Sequence, residues 1–91
     1  MKKFCINKSE VAWRDLDGEA VILDLKTDTY FSLDKIGTKI WNKMIEKSEI
    51  KDLVSLITSS HDVPAKEAER DVKELIFSLK KTGLILESVE K

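Results

Sequence analysis

Side chains able to do chemistry are few in this chain and far apart. Cys5 and His61 are its only cysteine and histidine, and their spacing does not indicate a nucleophile paired with a base. One thiol and one imidazole also fall short of the four ligands of a structural zinc site. The carboxylates of Asp15, Asp17 and Glu19 flank a predicted turn, where solvated acids are common. We therefore expect no catalytic residue, no metal site, no cofactor and no enzyme activity.

The bulk composition indicates one small domain spanning residues 1–91. Hydrophobic residues make up 42% of the chain and charged residues 36%, which is typical of a globular protein. The net charge of −1 argues against a protein that binds nucleic acid or a membrane surface through electrostatics. No segment resembles a signal sequence or could cross a bilayer, and a lone cysteine suits a reducing compartment. We expect a cytoplasmic protein.

The elements that would position any site begin with strands. Alternating apolar residues in "VAWRDL", "EAVILDL" and "TYFSL" predict a three-stranded antiparallel meander. Asp17-Gly18 is a tight-turn sequence, and Asp28 tolerates the left-handed conformation that the second turn needs. The opening "KFCINK" is only a weak strand pattern, which would extend the same sheet.

Three helices are predicted to follow the meander. We expect Asp34 to cap the first and Ser48 to cap the second. The third begins after Pro64 and ends at Gly83. The tail "LILESVEK" is apolar and then acidic, so it is expected to dock briefly and fray. The predicted fold class is α+β and winged-helix-like, with its core over about residues 10–86.

The third predicted helix has three faces at about 100° per residue. Its core face consists of Ala68, Val72, Leu75, Ile76 and Leu79. Its acidic face consists of Glu67, Asp71 and Glu74. Its basic face, which includes one aromatic residue, consists of Lys66, Arg70, Lys73, Phe77 and Lys80. The simple interpretation is that the basic face is solvated; the alternative is a groove wall, anchored by Phe77, that attracts an acidic ligand.

A helical layer after a β-meander also suits a winged-helix nucleic-acid-binding protein. In that interpretation Lys66, Arg70 and Lys73 would face phosphate groups. Acidic residues on the same helix oppose it, because like charges beside a phosphate backbone weaken binding. These residues are Glu67, Glu69, Asp71 and Glu74.

Two long segments carry a resemblance to a known family. "GEAVILDLKTDTYFSLDKIGTKIW" and "AERDVKELIFSLKKTGLI" resemble the PqqD-like family. Its stand-alone members are recognition elements for ribosomally made, modified peptides, including those of lasso-peptide systems. The resemblance covers about residues 10–86. One departure is Asp28, where the family often has glycine.

The resemblance implies a binding module for the leader segment of a precursor peptide. The leader would add as a strand to the edge of the third strand, opposite the third helix. The module would then present it to a separate tailoring enzyme, such as a leader peptidase or a radical SAM enzyme. The site residues implied are Thr29, Tyr30, Phe31, Ser32, Leu33, Arg70, Lys73, Ile76 and Phe77. Alternation alone leaves open whether Tyr30 or Phe31 faces the groove, and a homodimer through the open edge is a further hypothesis.

Overall fold

The elements of the fold are given by a computed structural model, which describes residues 1–89. A meander of three strands precedes three helices, as predicted, and a separate strand lies at each end. In chain order the elements are β1 Lys2–Ile6, β2 Val11–Leu16, β3 Glu19–Asp24, β4 Thr29–Ser32, α1 Lys35–Lys43, α2 Ile50–Ser60, α3 Ala65–Thr82 and β5 Ile85–Val89. None of the helices in this part of the chain is both long and apolar enough to span a bilayer.

The central sheet has the strand order β2-β3-β4 and is antiparallel throughout. Asp17 and Gly18 join β2 to β3 with φ values of 55° and 84°, which is the backbone of a two-residue primed turn. Asp28 takes φ 56° in the turn before β4. The predicted meander and its turn residues are therefore confirmed.

The two faces of this sheet differ in what covers them. Ala20 and Ile22 are buried on one face, where Trp13 and Phe31 also pack against the core. The opposite face carries Leu16, Val21, Leu23 and Tyr30, and no helix contacts these residues closely enough to bury them. The helices thus cover one side of the sheet.

The chain ends form a second, two-stranded sheet, which corrects two predictions. β1 does not extend the meander but pairs antiparallel with β5, from Lys2 opposite Val89 to Ile6 opposite Ile85. The tail does not fray over the described residues, because Leu84 and Ile85 are buried. Since each strand finds its partner at the far end of the chain, no local pattern could reveal the pairing. Residues 90–91 of the predicted tail lie outside the described residues.

Two of the three predicted residues at helix ends are confirmed, and one is wrong. Asp34 caps α1, accepting a 2.7 Å hydrogen bond from the Gly37 amide. Gly83 ends α3 with φ 81°. The predicted cap of α2 was wrong: the N-cap is Glu49, whose amide donates to Asp52. Ser48 is buried instead. Its hydroxyl proton is shared between the carbonyl of Lys43, at the end of α1, and that of Glu46, and its backbone pairs with Phe4 in β1.

The core lies between the sheet and the three helices. Trp41 of α1 is fully buried at its centre. Its ring meets that of Trp13 edge to face, with centroids 5.7 Å apart and an interplanar angle of 81°. This contact holds α1 against the meander.

Candidate functional site

The outer edge of β4 is open. Within residues 1–89, β4 pairs with β3 alone. The Leu33 amide donates to the Ala20 carbonyl at 2.9 Å, and Phe31 lies opposite Ile22. Since hydrogen-bonded pairs alternate in an antiparallel ladder, the amide and carbonyl groups of Tyr30 and Ser32 point away from β3. These groups form a short template for another strand.

The side chains of β4 point to opposite faces of the sheet. Phe31 is half-buried and packs against the core. Tyr30 lies on the uncovered face opposite Leu23 and is 68% exposed. The register therefore places Phe31 on the helical side and Tyr30 on the uncovered side.

A groove runs along this edge between β4 and α3, and we call it the β4–α3 groove. Its volume is about 440 Å³. The residues that line it are Ser32, Leu33, Asp34, Ile36, Gly37, Ile40, Asp71, Glu74, Leu75 and Ser78. Aliphatic side chains form the floor, and the α3 wall is acidic.

The Thr38 side chain of α1 contacts the sheet at the point where the chain leaves β4. Its buried hydroxyl accepts a 2.7 Å hydrogen bond from the Ala20 amide and lies 3.4 Å from the Leu33 carbonyl, to which it donates. A side chain thus completes the last rung between β3 and β4. Gly37 allows α1 to begin there, since a Cβ at this position would lie 3.2 Å from Asp34 Oδ1 and 3.4 Å from Leu33 Cβ. The groove is the space left open by this abrupt turn.

The carboxylates of the α3 wall lack strong partners. In the described part of the chain, the Glu74 side chain makes neither an ion pair nor a hydrogen bond. Asp71 approaches Arg70 Nε at 3.6 Å, but both side chains are more than half exposed, so the pair is weak. Asp34 uses one oxygen to cap α1. The groove therefore presents negative charge above an apolar floor.

The four α3 residues predicted for the wall lie elsewhere. Ile76 is 4% exposed and belongs to the core, whereas Phe77 is 68% exposed. Arg70 and Lys73 line a concave surface on the flank of α3, together with Lys66, Glu69 and Glu74. Lys73 donates a 2.7 Å hydrogen bond to Glu69, which lowers the pKa of Glu69. None of the four lines the β4–α3 groove, and a role for them in binding stays a prediction.

Sequence reasoning missed the residues that do form the wall. They are Asp71, Glu74, Leu75 and Ser78. The helical spacing had grouped Asp71 and Glu74 into one face beside the core face. It did not indicate which flank of the core face meets β4, because that depends on how the helix packs.

The side chains that could take part in catalysis or metal binding lie on different elements of the fold. Cys5 is a half-buried thiol on β1, and His61 follows the last residue of α2. Among residues 1–89, no group of three or more His, Cys, Asp and Glu side chains is placed to hold a metal ion.

Comparisons with known proteins agree with this description. A family model for "Coenzyme PQQ synthesis protein D (PqqD)" matches residues 19–85. No curated protein sequence matches the chain. A solved structure described as "TbiB1 in Complex with the TbiA(beta) Leader Peptide" is 31% identical, with a TM-score of 0.82 over 89% of this chain and 93% of that one.

A second solved structure, "Lasso peptide synthetase B1 complexed with the leader peptide", is 28% identical. Its TM-score is 0.80, over 91% of this chain and 96% of that one. Both similar structures are thus complexes with leader peptides. The family model spans more than half of the chain, including β3, β4 and all three helices. This chain belongs to the PqqD family.

Proposed function

We propose that this chain is a non-catalytic module that binds the leader segment of a ribosomally synthesised precursor peptide and presents it to a separate modifying enzyme. The observation that carries the proposal is the open edge of β4 beside an apolar-floored groove. The two similar structures support it, since each holds a leader peptide. Because the described side chains that could act in catalysis lie on different elements, the proposal assigns the modifying step to the separate enzyme.

The leader binds by adding a strand to β4. The outward amide and carbonyl groups of Tyr30 and Ser32 provide its main-chain hydrogen bonds. An added strand lies about 4.8 Å from β4, which places it over the β4–α3 groove. Main-chain pairing of this kind gives affinity, and side-chain pockets give specificity.

Alternate side chains of the leader then meet two different surfaces. Those on the helical side enter the groove, above Leu33, Ile36 and Leu75. Those on the other side lie beside Tyr30, on the uncovered face of the sheet. Burial of apolar leader side chains at both surfaces would contribute about 25 cal/mol per Å² of apolar area.

Amide hydrogen exchange tests this mode of binding residue by residue. The probe is a synthetic peptide of the leader segment from the precursor made by the same biosynthetic system. In the free chain, the amides of Tyr30 and Ser32 should exchange rapidly and that of Phe31 slowly. Binding should slow exchange at Tyr30 and Ser32 and leave β1 and β5 unchanged.

The possible outcomes distinguish whether the chain binds the leader from how it binds it. If the leader peptide perturbs no amide in an NMR titration, the proposed function is wrong. If it perturbs the basic face of α3 but leaves the exchange of Tyr30 and Ser32 unchanged, the chain binds the leader but not by strand addition.

The other sequence-based interpretations gain no support from the described residues. The exposed surface of α3 mixes cations with Glu67, Glu69 and Glu74, so it offers no continuous basic track for a phosphate backbone. Homodimerisation through β4 stays a prediction. It would use the same outward groups as the leader, so a dimer and a leader complex would compete.

A further inference from the structure

We infer that the leader segment held in the β4–α3 groove carries a lysine or arginine whose side chain points towards α3. This inference rests on the proposed function and adds the chemistry of its ligand. It reverses the expectation from the sequence, in which Arg70 and Lys73 attract an acidic ligand. The reason is the sign of the charge that lines the groove.

The groove contains carboxylates and no cation. Asp34, Asp71 and Glu74 line it, and no lysine, arginine or histidine of the described residues does. The nearest neutralising contact is the exposed Arg70–Asp71 pair at 3.6 Å. Glu74 has no ion-pair partner in the part of the chain that the structure describes. A peptide strand that enters the groove therefore meets carboxylates that are offset only in part, by the exposed cations on the neighbouring flank of α3.

The spacing of the wall suits one basic side chain of a strand. Asp71 and Glu74 are three residues apart on α3, so their side chains are neighbours on the helix surface. Asp71 to Ser78 spans roughly 10 Å at 1.5 Å per residue. Side chains on one face of a strand are about 6.6 Å apart, so about two of them fit along this wall. One lies by the carboxylates, and the next lies over the apolar floor.

Lysine and arginine also fit the floor. Their aliphatic stems can lie along Ile36 and Leu75 while the charged group reaches Asp71 and Glu74. A glutamate or aspartate at the same leader position would face like charges at close range. The wall therefore selects for a basic residue and against an acidic one, which is how charged rims give specificity.

Selection from a random peptide library tests the inference independently of any particular leader sequence. An mRNA-displayed library of random 12-residue peptides is panned on three forms of the full chain. These are the unmodified chain, the groove variant Asp71→Asn/Glu74→Gln, and the control variant Glu46→Gln/Asp62→Asn. Both variants change the net charge equally and at exposed positions, but the control residues do not line the groove. Circular dichroism verifies that each form is folded.

The unmodified chain and the control variant should enrich peptides with a lysine or arginine at one position relative to the apolar positions. The groove variant should keep the apolar preference and lose the basic one. Peptides enriched on the unmodified chain without a basic residue would overturn the inference and leave the proposed function standing. If no peptide is enriched on the unmodified chain, or no enriched peptide slows exchange at Tyr30 and Ser32, this inference fails. The proposed function itself fails only if the leader peptide perturbs no amide in the NMR titration.

A double-mutant cycle on one selected peptide gives the size of the effect. Replacing its basic residue with glutamine should weaken binding to the unmodified chain about threefold to fivefold, at the upper end of the range for exposed ion pairs. The same replacement should change binding to the groove variant by less than about twofold. Equal losses on both forms would show that the basic residue does not interact with the wall.

Discussion

Neighbouring residues of β4 have different roles because the direction of the amide and carbonyl groups alternates along a strand. Phe31 directs its amide and carbonyl groups to β3 and its ring to the core. Ser32 directs its backbone groups outward and is exposed. A substitution that removes one amide proton should therefore act on folding at Phe31 and on binding at Ser32.

Replacing Ser32 with proline removes an outward amide and spares the ladder to β3. Proline is tolerated on edge strands when its nitrogen faces solvent. We expect the variant to stay folded and to bind the leader peptide about fivefold to tenfold more weakly, since one main-chain hydrogen bond contributes about 1 kcal/mol. Fluorescence polarisation of a labelled leader peptide measures the change.

The control for this variant is Ser32→Ala, which removes the hydroxyl and keeps the amide. It should bind the leader within about twofold of the unmodified chain. Equal affinity of the proline and alanine variants would contradict pairing through the Ser32 amide. Phe31→Pro, by contrast, should destabilise the fold itself, because it breaks a ladder hydrogen bond to Ile22.

At the scale of elements, β5 contributes a buried side chain to the core from near the end of the chain. Ile85 is 2% exposed and faces the interior, whereas its neighbour Leu86 is 50% exposed. β5 pairs with β1, whose Phe4 and Ile6 are buried in the same core cluster as Ile85. No residue of these two strands lines the β4–α3 groove, so we expect them to contribute to stability and not to binding.

The pair Ile85→Ala and Leu86→Ala tests this placement with adjacent positions. Ile85→Ala should lower the free energy of unfolding by about 2–4 kcal/mol, because it leaves a cavity in the core. Leu86→Ala should change it by less than about 1 kcal/mol. Urea denaturation followed by circular dichroism measures both. Two small and equal effects would indicate a frayed tail, as the sequence had suggested.

Over the whole molecule, two exposed ion pairs add a dependence of stability on pH. Lys73 and Lys80 donate hydrogen bonds to Glu69 and Glu87, and these bonds lower the pKa of each carboxyl group below its ordinary 4.5. At pH values below 4.5 the unfolded chain therefore binds more protons than the folded one. The stabilisation is complete well above pH 4.5 and is lost as the pH falls through the lowered pKa values.

The double variant Lys73→Met/Lys80→Met should weaken this dependence. We expect the urea midpoint of the unmodified chain to fall between pH 6 and pH 3, and that of the variant to fall less steeply, as measured by intrinsic tryptophan fluorescence. The effect should be small and should shrink in salt, since both pairs are exposed. Parallel profiles for the two forms would contradict a role for these pairs.

Short-range features of the fold were predictable from the sequence. The tight turn at Asp17-Gly18, the left-handed Asp28 and the Asp34 cap each depend on a few adjacent residues. Alternation showed that Tyr30 and Phe31 point to opposite faces. The segments around "TYFSL" and "DVKELIFSLKK" carried the family resemblance, which the family match and the similar structures confirm.

What the sequence by itself determined was therefore the order and type of the central elements, the family, and the three faces of α3. Tertiary structure alone decided the pairing of β1 with β5, because those strands meet only when the chain folds. It also decided that α3 turns Asp71 and Glu74, not Arg70 and Lys73, towards β4. A helical pattern defines which residues share a face, but the neighbouring helices and strands determine what each face meets.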